Sequence, residues 1–169
     1  WLVKTLTNSE LIGVSKVLIL YHAKDFSKWN IKFTEDYNFL KNKLPGFAKI
    51  EMGDQNLDLL INQIKNSDLI VIKWWSSLLL KENLSPIKDI LESILKTKIV
   101  IWISAGAYIL CEKFYSNDRK IIDDWFGILG NTFLICHYDE SLKDIGKEFI
   151  WTNVHSIRLA ENQTYIIGK

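Results

Sequence analysis

The chain has 169 residues, 48% hydrophobic and 24% charged, enough for one sizeable core and read as one globular domain over residues 1–169. Its net charge is only +1 and its lysines are interleaved with acidic residues, so no basic stripe marks a nucleic-acid partner. Cys111 and Cys136 both lie in apolar runs and suit neither a disulfide framework nor a zinc site.

A reducing, cytoplasmic compartment fits this cysteine usage. No apolar stretch reaches the ~18 to 20 residues of a membrane span, and no signal-peptide pattern is present. The glycosylation-type triplets at Asn83 and Asn162 are therefore chance matches. Arginine occurs only at Arg119 and Arg158, while Lys, Ile and Asn abound, a bias from which no function follows.

Lys16 to Tyr21 is a continuous β-branched and aliphatic run, predicting a strand buried on both faces. Helical spacing follows over Thr34 to Lys43. Pro45-Gly46 then marks a turn before a short strand at Ala48 to Glu51. A helix over Asn56 to Lys65, a strand over Asp68 to Ile72, a helix over Pro86 to Leu95 and a strand over Lys98 to Ile103 continue the alternation. Strand alternating with helix is the pattern of an α/β protein with a parallel sheet. Beyond Ser104 the sequence predicts a helix over Ala105 to about Lys113, a strand over Thr132 to His137, and short strands at Glu148 to Thr152, Ser156 to Leu159 and Thr164 to Ile167.

Two places carry chemistry. In I-V-I-W-I-S-A-G-A a buried strand stops at Ser104 and a helix begins next to Gly106, the outline of a nucleophile elbow. The N–H of Ala105 is then placed to hold an oxyanion. The alternative is a serine that only caps the helix, with Gly106 allowing close packing. In F-L-I-C-H-Y-D-E, His137 ends an apolar strand, and in a parallel sheet strand C-termini share the ligand-binding edge. His22 reaches that edge too and is taken as structural or peripheral, as is His155.

Together, S-A-G-A after a hydrophobic strand and the later G-I-L-G-N-T-F-L-I-C-H-Y-D-E resemble the peptidase E and cyanophycinase family of serine peptidases, over about Lys16 to Gly168. The resemblance implies a class I glutamine amidotransferase-like fold: an α/β three-layer sandwich, flavodoxin-like, with a mostly parallel sheet. It also implies a serine-type peptidase activity on a small peptide or amide, with Ser104 as nucleophile and His137 as base. For the third catalytic position it implies Asn153, where some members carry a glutamate, or Asp118 in S-N-D. Cys111 falls at a packed position. No metal or organic cofactor is implied, and a homo-oligomer is left open.

The sequence departs from the family in three places. The glycine-rich turn after the middle strand is replaced by Lys73-Trp74-Trp75-Ser76-Ser77, so two indoles would line or block the pocket. The position two before the nucleophile, usually glycine, is Trp102, and the usual glutamate is Asn153. A homologue that keeps the fold but binds a ligand or partner is the rival reading. A flavodoxin-like module for a phosphorylated cofactor is a second rival, but residues His22 to Phe26 lack a glycine-rich cradle.

Overall fold

The computed structural model describes residues 13–149, apart from 43, 45, 47, 74 and 96, and residues 153–163, apart from 162. The chain divides into two compact units, residues 1–106 and 107–169.

In the first unit, four strands alternate with helices: β1 (Lys16–Leu20), α1 (Trp29–Lys41), β2 (Lys49–Met52), α2 (Leu57–Lys65), β3 (Leu69–Ile72), α3 (Ser77–Leu84), α4 (Lys88–Leu95) and β4 (Ile99–Trp102). All pairings are parallel, in the order β2-β1-β3-β4, which is the flavodoxin-like order. The registers Leu20↔Ile72 and Ile72↔Trp102 bring the C-terminal ends of β1, β3 and β4 to one edge.

Val17, Ile19, Leu69 and Val71 pack on one face with Trp29 and Leu40 of α1. Leu18, Leu20, Ile70 and Ile72, which alternate with them, are buried as well, so both faces are covered. This is why the strands read as unbroken apolar runs. Asn56 caps α2, its side-chain oxygen accepting from the N–H groups of Asp58 and Leu59 at 3.0 and 3.2 Å.

The expected helix over Pro86 to Leu95 is the second half of a longer helical connection. Ser76 caps α3, and the chain passes through a 3-10 turn, Ser85–Ile87, into α4. Pro86 sits at the start of that turn, where its missing N–H costs nothing.

The second unit holds β5 (Lys113–Ser116), β6 (Ile121–Asp124), β7 (Thr132–Cys136) and β8 (His155–Leu159), in the order β6-β5-β7-β8. The β5–β6 pair is an antiparallel hairpin, whereas β5–β7 and β7–β8 are parallel. Tyr115, Phe133 and Ile135 form a core with Phe149, Ile145 and Tyr138 packed around it. On the other side the ring of Phe114 stacks on Tyr108, centroids 4.2 Å apart, and meets Trp125 edge-on at 5.2 Å. Gly146, at φ 71, presses its backbone onto the Phe133 ring where no side chain fits.

The fold is therefore α/β with a mostly parallel sheet arrangement, as the sequence predicts. Two expected elements differ. The helix over Ala105 to Lys113 is a 3-10 helix, Ser104–Leu110. It stops because the segment behind it claims the backbone: Leu129 N–H donates to Leu110 O, Gly127 N–H to Cys111 O and Trp125 N–H to Glu112 O, at 2.8 to 3.0 Å. The strand expected over Glu148 to Thr152 begins as a 3-10 turn, Lys147–Phe149, and its remainder lies outside the described residues, as does Thr164 to Ile167. No helix among the described residues is long and apolar enough to cross a membrane.

Candidate active site

In the first unit the chain turns sharply where β4 ends. Ile103 N–H still donates to Ile72 O at 3.1 Å, continuing the ladder, and Gly106 N–H folds back to Ile103 O at 2.9 Å. Between them Ser104 sits at φ 50, in the left-handed region that non-glycine residues seldom occupy. Gly106 makes the turn sterically feasible: a β-carbon there would stand 2.6 Å from Ile72 O. Trp102, the last residue of β4, is half-buried and does not prevent this geometry.

The neighbouring strand end is occupied differently. Lys73 N–H donates to Leu20 O at 3.0 Å, while its amine reaches Asp36 Oδ1 at 3.1 Å. The other carboxylate oxygen of Asp36 accepts from Tyr21 Oη at 2.6 Å, and burial, followed by Asp36, pushes the Tyr21 phenol well above its ordinary range. Trp75 packs against the same cluster as Trp29 and Tyr21, with the Lys24 amine 3.1 Å from its ring centroid. Burial first, and the neighbouring Lys32 and Lys28 next, lower the Lys24 pKa. Trp74 lies outside the described residues.

His22 is buried at 3% exposure, its ring edge-on to Trp29 at 4.8 Å. Its Nε2 faces Asp54 O at 3.1 Å, an oxygen that can only accept, so Nε2 carries the proton. The buried Nδ1 has no hydrogen-bond partner. Burial lowers its pKa to about 4, against a weaker opposing effect of Asp54. This is a structural histidine.

In the second unit β7 is buried along its length and ends at Cys136; the next residue, His137, is exposed and stands at φ 55. The carbonyl of Cys136 accepts from Asn117 Nδ2 at 2.6 Å, and Tyr138 N–H donates to Leu159 O at 2.9 Å. Its Nδ1 lies against Glu161 Oε1 in a short contact. The His137 side chain is 43% exposed and that of Glu161 69%, so the pair faces solvent.

The carboxylate beside His137 is Glu161, not one of the two residues expected from the sequence for the third position, Asn153 and Asp118. Because β8 runs parallel to β7, with Thr132 opposite His155 and Cys136 opposite Leu159, residues before β8 lie at the start of β7. Asn153 is thus separated from His137 by the length of the strand, roughly 16 Å at ~3.3 Å per residue. Residues just after β8 stand beside His137, and Glu161 is one of them. His155 opens β8 at that same far end. Asp118 is exposed in the turn between β5 and β6, near enough to Tyr108 to contribute, behind burial and Cys136, to raising its pKa.

Both cysteines are buried, and burial pushes each thiol up to about 12, which leaves them protonated and poor nucleophiles at neutral pH. Among the described residues no group of three His, Cys, Asp or Glu side chains could hold a metal ion.

No protein-family model matches the sequence, and no curated protein does. Among solved structures, a chain from Listeria monocytogenes EGD-e named "Putative Peptidase E Protein" superposes with a TM-score of 0.58 at 17% sequence identity, over 88% of this chain and 78% of that one. At that identity the likeness establishes the fold: this chain has the α/β fold of that structure.

Proposed function

We propose that the chain is a serine-type hydrolase of a small peptide or amide, with Ser104 as nucleophile, His137 as base and Glu161 orienting the imidazole. One observation carries this reading: Ser104 occupies a left-handed backbone at the end of a parallel strand, over a glycine no other residue could replace without displacing Ile72. Strain of this kind costs on the order of 1 to 3 kcal/mol and is concentrated at functional sites. A serine that merely caps a helix has an ordinary extended backbone instead.

The chemistry follows from these groups. Ser104 Oγ attacks the carbonyl carbon as its proton passes to His137 Nε2, and the N–H of Ala105 holds the oxyanion. The Glu161 carboxylate accepts from Nδ1–H, fixes the tautomer and stabilises the imidazolium. His137 returns the proton to the leaving amine, and water then releases the acyl group by the reverse sequence.

The altered loop after β3 favours a second reading, a homologue that binds without turnover. Lys73 is tied to Asp36 and Trp75 lies under Lys24 where a glycine-rich turn would offer open backbone donors. Intact-protein mass spectrometry after treatment with a fluorophosphonate probe separates the two. A hydrolase gains one adduct, lost in Ser104→Ala; an unlabelled wild type leaves the binding reading.

A further inference from the structure

The left-handed backbone of His137 is built by its neighbours. On one side β7 hands it a carbonyl, that of Cys136, which points to the turn between β5 and β6 and accepts from Asn117 Nδ2 at 2.6 Å. On the other side Tyr138 N–H is fixed to Leu159 O at 2.9 Å. The carbonyl of Cys136 and the N–H of Tyr138 flank the two soft dihedrals of His137. Holding both selects the φ of 55 over the extended alternative that would continue the strand.

We propose that Asn117 is a positioning residue, whose side-chain amide holds the Cys136 carbonyl and thereby aims the His137 imidazole at Glu161. This rests on the reading of His137 as the base. The place calls for a donor, and a carboxylate of the same shape would set oxygen against oxygen. The turn that carries Asn117 is itself fixed: Lys120 N–H donates to Ser116 O at 2.8 Å, and Arg119 pairs with Asp123 at 2.6 Å. The same turn also borders the segment after His137. The Asp139 carboxyl is held below its ordinary range chiefly by the Ser141 hydroxyl and N–H, with Lys120 adding to the effect.

The experiment compares Asn117→Asp and Asn117→Ala with Arg119→Ala, which loosens the same hairpin without touching Cys136. Two readouts are taken: the His137 Cα, Cβ and ring resonances by NMR, and the rate of fluorophosphonate labelling. The expected result is that both Asn117 variants move the His137 resonances away from their left-handed values and slow labelling by about tenfold or more, since small misplacements of a catalytic group are costly. Arg119→Ala should lower the melting temperature yet leave His137 and labelling within about twofold of wild type. The NMR readout needs no activity, so an unlabelled wild type would remove the hydrolase reading while the positioning of His137 is still decided. Unchanged His137 resonances in folded Asn117 variants would overturn the proposal, as would an equal shift in Arg119→Ala.

Discussion

Gly106 and Ile72 meet backbone to backbone: a β-carbon on Gly106 would come within 2.6 Å of the Ile72 carbonyl oxygen and 3.2 Å of its Cγ2. That carbonyl also accepts from Ile103 N–H, so it is held at the point where β4 turns into Ser104. Gly106→Ala should therefore cost about 1 to 3 kcal/mol, the usual range for overpacking. Because the displaced group is the floor of the elbow, labelling of Ser104 should fall much further than stability does. Urea unfolding and probe kinetics on the same variant check both; full labelling would mean that the close approach of Gly106 to Ile72 does not position Ser104.

The strain at Ser104 makes a second test independent of activity. A left-handed residue other than glycine is disfavoured by about 1 kcal/mol or more, so Ser104→Gly should raise stability by about that amount. Ser104→Ala keeps the Cβ and should change little. A capping serine predicts the opposite order, with alanine losing about 0.5 to 2 kcal/mol and glycine only a few tenths. Urea midpoints of the three proteins decide between the two.

The strands β1, β3 and β7 were legible because burial on both faces leaves continuous apolar runs; β4 is only partly buried, yet its I-V-I-W run is as apolar, and the sharp turn at its end was legible from S-A-G-A. The β5–β6 hairpin was not. Its strands are four residues each, β6 is half-exposed, and Lys113 to Asp124 offers no clean alternation. Glu161 was hidden for another reason: its place at His137 depends on β8 pairing parallel to β7 in the register Cys136↔Leu159. Nothing local to Glu161 encodes that pairing. Asn117 sits in the S-N-D segment the sequence singles out, yet it is the amide, beside the carboxylate that drew notice, that reaches β7.

Glu161 beside His137 and Asn153 ahead of β8 yield a paired prediction. Glu161→Gln keeps the shape but removes the charge that faces His137 Nδ1, the charge the proposed mechanism uses to stabilise an imidazolium. Labelling should drop, by about one to two orders of magnitude, less than for a buried triad carboxylate because this one is exposed to solvent. Asn153→Ala, at the other end of β7, should label at the wild-type rate. Equal rates for Glu161→Gln and wild type would show that Nδ1 needs no carboxylate.

His22 sets an acid limit on the first unit. In the folded chain burial lowers its pKa to about 4, against an ordinary value of 6.5 in the unfolded chain. Below 6.5 the unfolded state binds a proton that the folded state refuses, so stability rises with pH through this window. The contribution is complete above about pH 7 and is lost as pH falls from 6.5 towards 4, by on the order of 3 kcal/mol in all. Acidic side chains add their own acid sensitivity, so the test is a difference. His22→Gln can still donate to Asp54 O but does not titrate, and its urea midpoint should fall less steeply between pH 7 and pH 4 than that of wild type. Parallel curves for the two proteins would mean that His22 is protonated as readily folded as unfolded, and that its buried, partnerless Nδ1 is not the acid-sensitive group.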